Sequence, residues 1–112
     1  MLNIGAQPIY LFGEPVDMRK SFDGLSALVA SRFPGLLFEG GLFVFVNRRR
    51  NLLKLLYWDG DGLVVWYKRL EKGTFRVDTG GKSELTRREF MMLFEGVIPR
   101  STSPRFRLKK KS

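Results

Sequence analysis

Three apolar segments in the middle of the chain have the pattern of β-strands joined by turns. Leu42–Val46 is wholly apolar, and Leu52–Trp58 follows it after a short polar stretch. Leu63–Arg69 comes after the Asp-Gly-Asp-Gly sequence at 59–62, whose two glycines can adopt the positive φ angles of a tight turn. Apolar runs of this length between turn signals are typical of consecutive strands. The pattern therefore predicts an antiparallel meander, which residues 74–77 extend as a short fourth strand.

The region before the meander predicts a further strand and a helix. Ile9–Phe12 has the composition of a short strand and would be the fifth in the sheet. Apolar residues then recur at helical spacing and predict a helix over about residues 18–32, with Asp17 as its N-cap and Pro34 at its end. Gly24 lies inside this helix, where glycine costs about 1 kcal/mol.

A second helix is predicted near the end of the chain by its capping residues. Thr86 and Glu89 have the spacing of a capping box. The helix predicted from them covers residues 87–95, and Gly96 is suited to its C-terminal cap. The preceding residues, 78–84, are predicted to be a flexible connection.

These elements predict an α+β fold with a four- or five-stranded, mainly antiparallel sheet and two helices. We expect a flexible lead-in over residues 1–8, a single domain over residues 9–99, and a disordered basic tail over residues 100–112. Alternation along 63–69 leaves apolar side chains on both faces of the strand. A sheet with one solvated face would alternate apolar and polar residues, so we expect helices or a partner to cover both faces.

The composition excludes most kinds of catalytic chemistry. The 112 residues include neither cysteine nor histidine, which excludes thiolate nucleophiles, disulfides, histidine-based triads and most transition-metal sites. The chain does not open with a signal-peptide pattern, and it lacks an apolar stretch of the roughly 18–20 residues that cross a bilayer. We therefore expect a cytoplasmic protein, associated with the nucleoid if it binds DNA.

Two short motifs suggest ligand binding, but each lacks a required residue. Asp59 and Asp61 could begin a calcium loop, but the twelfth position of that loop is Leu70 rather than glutamate. The Gly-Gly-Lys-Ser sequence at 80–83 resembles the end of a phosphate-binding loop, yet its first glycine position is Arg76. The sequence thus predicts no metal site, no cofactor and no catalytic residue.

The basic side chains are the remaining candidates for function. The net charge is +9, and residues 100–112 hold six basic and no acidic residues, which leaves +3 for the rest of the chain. The predicted nucleic-acid contacts are Arg19, Lys20, Arg48, Arg49, Arg50, Lys54, Lys68, Arg69, Arg105, Arg107, Lys109, Lys110 and Lys111. If the groups near 19, 48–50 and 68 converge at one end of the sheet, they form a patch for phosphate. The alternative is that they are solvated charges at turns and edges.

Several blocks of sequence resemble one family of bacterial proteins. They are Asp17–Lys20, Phe22–Leu25, Leu42–Phe45, Arg48–Arg50, Lys54–Gly62, Tyr67–Gly73 and Phe75. In this order they make the chain similar, over about residues 9–98, to the small second-reading-frame (TnpB-type) accessory protein of the insertion-sequence-sixty-six family of transposons. The resemblance implies a role in DNA transposition beside a separate DDE-type transposase that carries the chemistry, and it implies no catalytic residues here.

Two functions remain open from the sequence. The first is a non-catalytic accessory protein for transposition that binds DNA through its basic loop and tail residues. The second is a protein adaptor that docks on the transposase, or on a second copy of itself, through an apolar sheet face without binding DNA. The expected partners are therefore DNA, the transposase and other transposon-encoded proteins.

Overall fold

The computed structural model describes residues 5–77 and 80–96, and within them the secondary structure follows the apolar pattern closely. The strands are β1 (Ile9–Leu11), β2 (Leu42–Val46), β3 (Leu52–Trp58), β4 (Leu63–Arg69) and β5 (Glu84–Leu85). The helices are α1 (Phe22–Arg32) and α2 (Arg87–Glu95), and a single 3₁₀ turn, Leu37–Glu39, precedes β2. Neither helix is long and apolar enough to span a membrane within this part of the chain.

The five strands form one sheet in the order β4-β3-β2-β1-β5. β2, β3 and β4 are the predicted antiparallel meander, in a register that pairs Val44 with Leu55 and Leu55 with Trp66. β1 runs parallel to β2, and β5 is antiparallel to β1. A parallel neighbour requires a crossover connection, which here includes α1. The predicted α+β fold with a mainly antiparallel sheet is confirmed.

Helices of the chain itself cover both faces of this sheet, as the two-sided apolar pattern of the strands predicted. On the α1 face the buried residues are Phe12, Val16, Leu25, Val29, Leu37, Phe43, Phe45 and Leu56. On the α2 face they are Ile9, Leu11, Leu42, Val44, Val46, Leu53, Leu55, Phe75, Leu85, Phe90 and Leu93. The central strand β2 is therefore buried along its whole length.

The predicted start of the first helix was wrong. The helix begins at Phe22 with Ser21 as its N-cap, and that residue makes no side-chain capping bond. Asp17 instead accepts a hydrogen bond from the backbone N–H of Arg19 (2.9 Å), which stabilises a turn before the helix. Gly24 has a packing reason, since a Cβ there would lie 3.0 Å from the Cβ of Lys20.

The predicted strand over residues 74–77 was also wrong. Only Thr74 makes an isolated bridge there. Phe75 is fully buried, and its backbone N–H donates to the carbonyl of Arg50 (2.7 Å), so the segment is a loop held at the β2–β3 turn. The last strand is Glu84–Leu85, at the end of the predicted flexible connection.

The second helix agrees with its prediction at both ends. The Thr86 hydroxyl accepts from the backbone N–H of Glu89 (3.0 Å), and the Glu89 carboxylate accepts from the backbone N–H of Thr86 (2.8 Å). Gly96 ends the helix with a φ of 79°. The predicted disordered tail, residues 100–112, lies outside the described residues, as does the first half of the predicted lead-in.

Candidate nucleic-acid interface

A groove of about 680 Å³ lies beside the β2–β3 turn, open to solvent. It is lined by Pro15, Val16, Asp17, Met18, Arg19, Asn47, Arg48, Arg49, Leu52 and Tyr67. Three of the predicted nucleic-acid contacts, Arg19, Arg48 and Arg49, meet here although about thirty positions separate the first from the other two. We call this concavity the arginine groove.

The arginines meet because the chain after β1 follows β2 to its end. The backbone N–H of Phe12 donates to the carbonyl of Val44 (2.9 Å), and that of Val16 donates to the carbonyl of Val46 (3.0 Å). The two segments thus run side by side until β2 ends. Arg19, which follows Val16 in the chain, therefore lies next to the β2–β3 turn. The parallel pairing of β1 and β2 is therefore what forms the groove.

The turn that carries Arg48 and Arg49 is held by the side chain of one asparagine. Asn47 Oδ1 accepts from the backbone N–H groups of Asn51 (3.0 Å) and Leu52 (2.9 Å), and Asn47 Nδ2 donates to Asn51 Oδ1 (2.9 Å). Asparagine side chains commonly stabilise turns through such bonds to nearby backbone groups. The two exposed arginine side chains are therefore mounted on a fixed backbone.

Arg50 has a different position from its two neighbours. Its backbone has a φ of 61°, in the left-handed region that disfavours side chains with a Cβ. Its backbone N–H donates to the carbonyl of Asn47 (3.1 Å). Its side chain lines a second, smaller depression together with Glu14 and Arg48, outside the arginine groove.

Arg19 is partly neutralised by an acidic neighbour. Its Nε and Nη2 atoms donate to both carboxylate oxygens of Asp17 at 2.6–3.1 Å. This bidentate hydrogen bonding, with the backbone bond from the same arginine, lowers the pKa of Asp17 to about 2 and raises that of Arg19. The side chain of Arg19 is 91% exposed, so the guanidinium can still approach a ligand.

Lys54 lies beneath the groove and faces inwards. It is only 6% exposed, although the sequence placed it among the nucleic-acid contacts. Its Nζ donates to the carbonyl of Met18 (2.8 Å) and to that of Lys20 (2.7 Å), and it lies 4.6 Å from the ring centroid of Tyr67. The ammonium thus ties the segment before α1 to the sheet and has a structural role.

The other predicted contacts are spread around the fold. Lys20 is exposed next to Arg19 but does not line the groove. Arg69 is exposed and paired with Glu71 (2.9 Å). Lys68 lies on the opposite face of the sheet, where its Nζ donates to the carbonyl of Phe94 (3.1 Å) at the end of α2. Outside the described residues lie Arg105, Arg107, Lys109, Lys110 and Lys111.

The sequence prediction missed Tyr67 as a groove residue. Its side chain is 51% exposed, although it belongs to a strand whose neighbouring residues are half-buried. The signal available in the sequence was the alternation of β4, which places Tyr67 on the opposite face from Trp66 and Lys68. That signal identifies the face, and only the fold identifies the arginines beside it.

The acidic side chains of the described residues are dispersed over the fold. In residues 5–77 and 80–96 they nowhere gather in a group of three or more that could hold a metal ion. Asp59 and Asp61 are both exposed, and the β3–β4 turn between them closes with a bond from the backbone N–H of Asp59 to the carbonyl of Gly62 (2.8 Å). The arrangement is a hairpin turn.

Comparison with known proteins supports the family resemblance found in the sequence. The family described as "IS66 Orf2 like protein" matches residues 7–104. The uncharacterized protein y4jC of Sinorhizobium fredii is 36% identical over 86 residues, which covers 75% of this chain and 74% of that protein. The uncharacterized protein y4hO of the same organism is 39% identical over 59 residues, or 53% of this chain and 51% of its own length. No solved structure matches the chain.

Proposed function

Because the chain belongs to the IS66 Orf2-like family, we propose that it is a non-catalytic accessory protein of transposition that binds DNA through the arginine groove. A separate transposase supplies the strand-transfer chemistry in this proposal. The chain contributes a positively charged surface that holds the DNA substrate.

The observation that carries this proposal is the convergence of Arg19 with Arg48 and Arg49 on one groove. Within residues 5–77 and 80–96, neither Arg48 nor Arg49 forms an ion pair with an acidic side chain. Guanidinium groups bind phosphate oxygens in a bidentate manner, and several on a fixed backbone also set the position of the nucleic acid.

The basic tail extends the same electrostatic attraction. Residues 100–112 hold six of the twenty basic residues in the chain. Basic arms bind phosphates without reading bases, and six such contacts would contribute a slope of about −5 to a plot of log affinity against log salt concentration. In this proposal the tail supplies general affinity for DNA and the groove sets the position of bound DNA.

Support for the adaptor alternative is weaker. It depended on an apolar sheet face in need of a partner, and α1 and α2 of the chain itself cover the two faces. The same buried clusters therefore account for the strand pattern that suggested it.

The test is DNA binding by a double variant, Arg48→Ala/Arg49→Ala, measured by fluorescence anisotropy over a series of salt concentrations. Each phosphate contact contributes about one unit of salt slope, so loss of both side chains should make the slope shallower by about 2 and weaken binding. A matched control is Arg87→Ala/Arg88→Ala, which removes the same charge from exposed positions on α2.

Two results would contradict the proposal. If the full chain binds no DNA at low salt, the DNA-binding function is wrong. If the two double variants lose affinity equally, the attraction comes from overall charge and the groove is not the site.

A further inference from the structure

The arginine groove combines phosphate-binding groups with an exposed aromatic ring. Tyr67 lines the groove together with Arg48 and Arg49, and about half of its side chain is accessible. In residues 5–77 and 80–96 the other large exposed aromatic side chains, Phe22 and Phe38, lie away from this groove. The pairing of a free ring with several guanidinium groups is therefore special to this site among the described residues.

The Tyr67 ring is held in position by the ammonium group of Lys54. The ammonium group of Lys54 lies 4.6 Å from its centroid, and two backbone carbonyls hold that ammonium in place. A cation at this distance is attracted to the face of an aromatic ring. The contact holds the ring against a buried, hydrogen-bonded group, while about half of Tyr67 stays exposed.

A flat aromatic surface discriminates between forms of nucleic acid. In a duplex the faces of the bases are stacked on each other, and the protein meets phosphates, sugars and base edges. In a single strand the faces are free, and proteins bind them by stacking on aromatic side chains beside a positive groove that follows the backbone. The composition of the arginine groove matches the second case.

We propose that the arginine groove binds single-stranded DNA, with one unpaired base stacked on Tyr67 and the adjoining phosphates bound by Arg48 and Arg49. The inference rests on the proposed DNA-binding function and specifies the form of DNA.

The experiment compares three labelled ligands of one sequence, each about 12 nucleotides long, within the range bound by single-strand-binding folds. They are the DNA strand, the DNA duplex and the RNA strand, and anisotropy is measured with the full chain at low salt. We expect the DNA strand to bind about tenfold more tightly than the duplex, the size of effect that stacking of one base produces.

The variants locate this preference at the ring. Tyr67→Leu keeps an apolar side chain against Lys54 and should weaken single-strand binding about tenfold, a much larger loss than for duplex binding. Tyr67→Phe keeps the ring and should bind like the original chain. Phe38→Ala removes an exposed ring that contacts Trp58, outside the groove, and should have no effect.

Failure of this inference is distinguishable from failure of the proposed function. If the duplex binds as tightly as the strand, or if Tyr67→Leu weakens both equally or neither, the stacking site is wrong while DNA binding stands. If the RNA strand binds more tightly than the DNA strand, the ligand is misassigned. If none of the ligands binds, the proposed function itself is wrong.

Discussion

Replacing Lys54 with methionine tests how the arginine groove is held together. Lys54 is 6% exposed, and its ammonium donates to the carbonyls of Met18 and Lys20 at 2.8 and 2.7 Å. Methionine has a similar length and can fill the space, but it leaves both carbonyls without this donor. The substitution therefore removes the link between the segment before α1 and the sheet.

The expected cost of Lys54→Met follows from these two hydrogen bonds. A hydrogen bond to a charged group contributes about 1.5–3 kcal/mol to stability. Burying methionine has no charge-desolvation penalty, so this offsets part of the stability lost with the two bonds. We expect the free energy of unfolding to fall by about 3 kcal/mol, which for a domain near 100 residues lowers the melting temperature by roughly 15 °C.

The assay is urea unfolding followed by tryptophan fluorescence, with Lys68→Met as the control. Both ammonium groups lie over an aromatic ring, but among the described residues Lys68 makes one hydrogen bond, to the carbonyl of Phe94, so its replacement should cost about 1.5 kcal/mol, half as much. A loss below about 1 kcal/mol for Lys54→Met, or equal losses for the two variants, would refute the tethering role of Lys54.

Three further predictions concern the turns and caps. Arg50 has a φ of 61°, in the left-handed region where a side chain with a Cβ is disfavoured. Urea unfolding should therefore show the Arg50→Gly variant to be about 1 kcal/mol more stable than the Arg50→Ala variant. Equal stabilities of the two variants would contradict the left-handed backbone. Thr86→Ala removes the capping bond and should cost about 1 kcal/mol in the same assay. Folding lowers the pKa of Asp17 from 3.8 to about 2, so its stabilising effect is complete above pH 3.8 and is lost as the pH falls towards 2. NMR titration should find that Arg19→Ala returns this pKa towards 3.8, and an unchanged midpoint would exclude the ion pair as the cause.

Local signals in the sequence predicted the parts of the fold that depend on neighbouring residues. β2, β3 and β4 have their predicted bounds because turns separate their apolar runs. α2 has its predicted bounds because Thr86 and Glu89 form the reciprocal bonds of a capping box. Each of these signals lies within a few residues of the element that it defines.

The errors arose where distant contacts decide the structure. Asp17 resembles an N-cap in the sequence, but Lys54 on β3 binds the carbonyls of Met18 and Lys20, and the helix starts five residues after Asp17. Residues 74–77 have the composition of a strand, but burial of Phe75 and its bond to the Arg50 carbonyl take the segment away from the sheet edge. Tertiary contacts override local propensity in both places.

The candidate site could be predicted only as a set of residue types. The sequence identified Arg19, Arg48 and Arg49 as candidates and left open whether they converge. Their convergence depends on the parallel pairing of β1 with β2, which no local pattern encodes. The burial of Lys54 could not be predicted for a related reason, because its acceptors are carbonyls more than thirty residues earlier in the chain.

The most direct test of the account is to map the DNA-binding surface by backbone amide NMR. Titration of the full chain with a DNA oligonucleotide should shift the backbone amide signals of groove-lining residues, namely residues 16–19, 47–49, 52 and 67. Amides of α2 around Arg87 and Arg88 should stay unchanged and serve as the internal control. If the shifted amides lie on α2, or nowhere in the described domain, the arginine groove is not the DNA-binding site and the central claim is wrong.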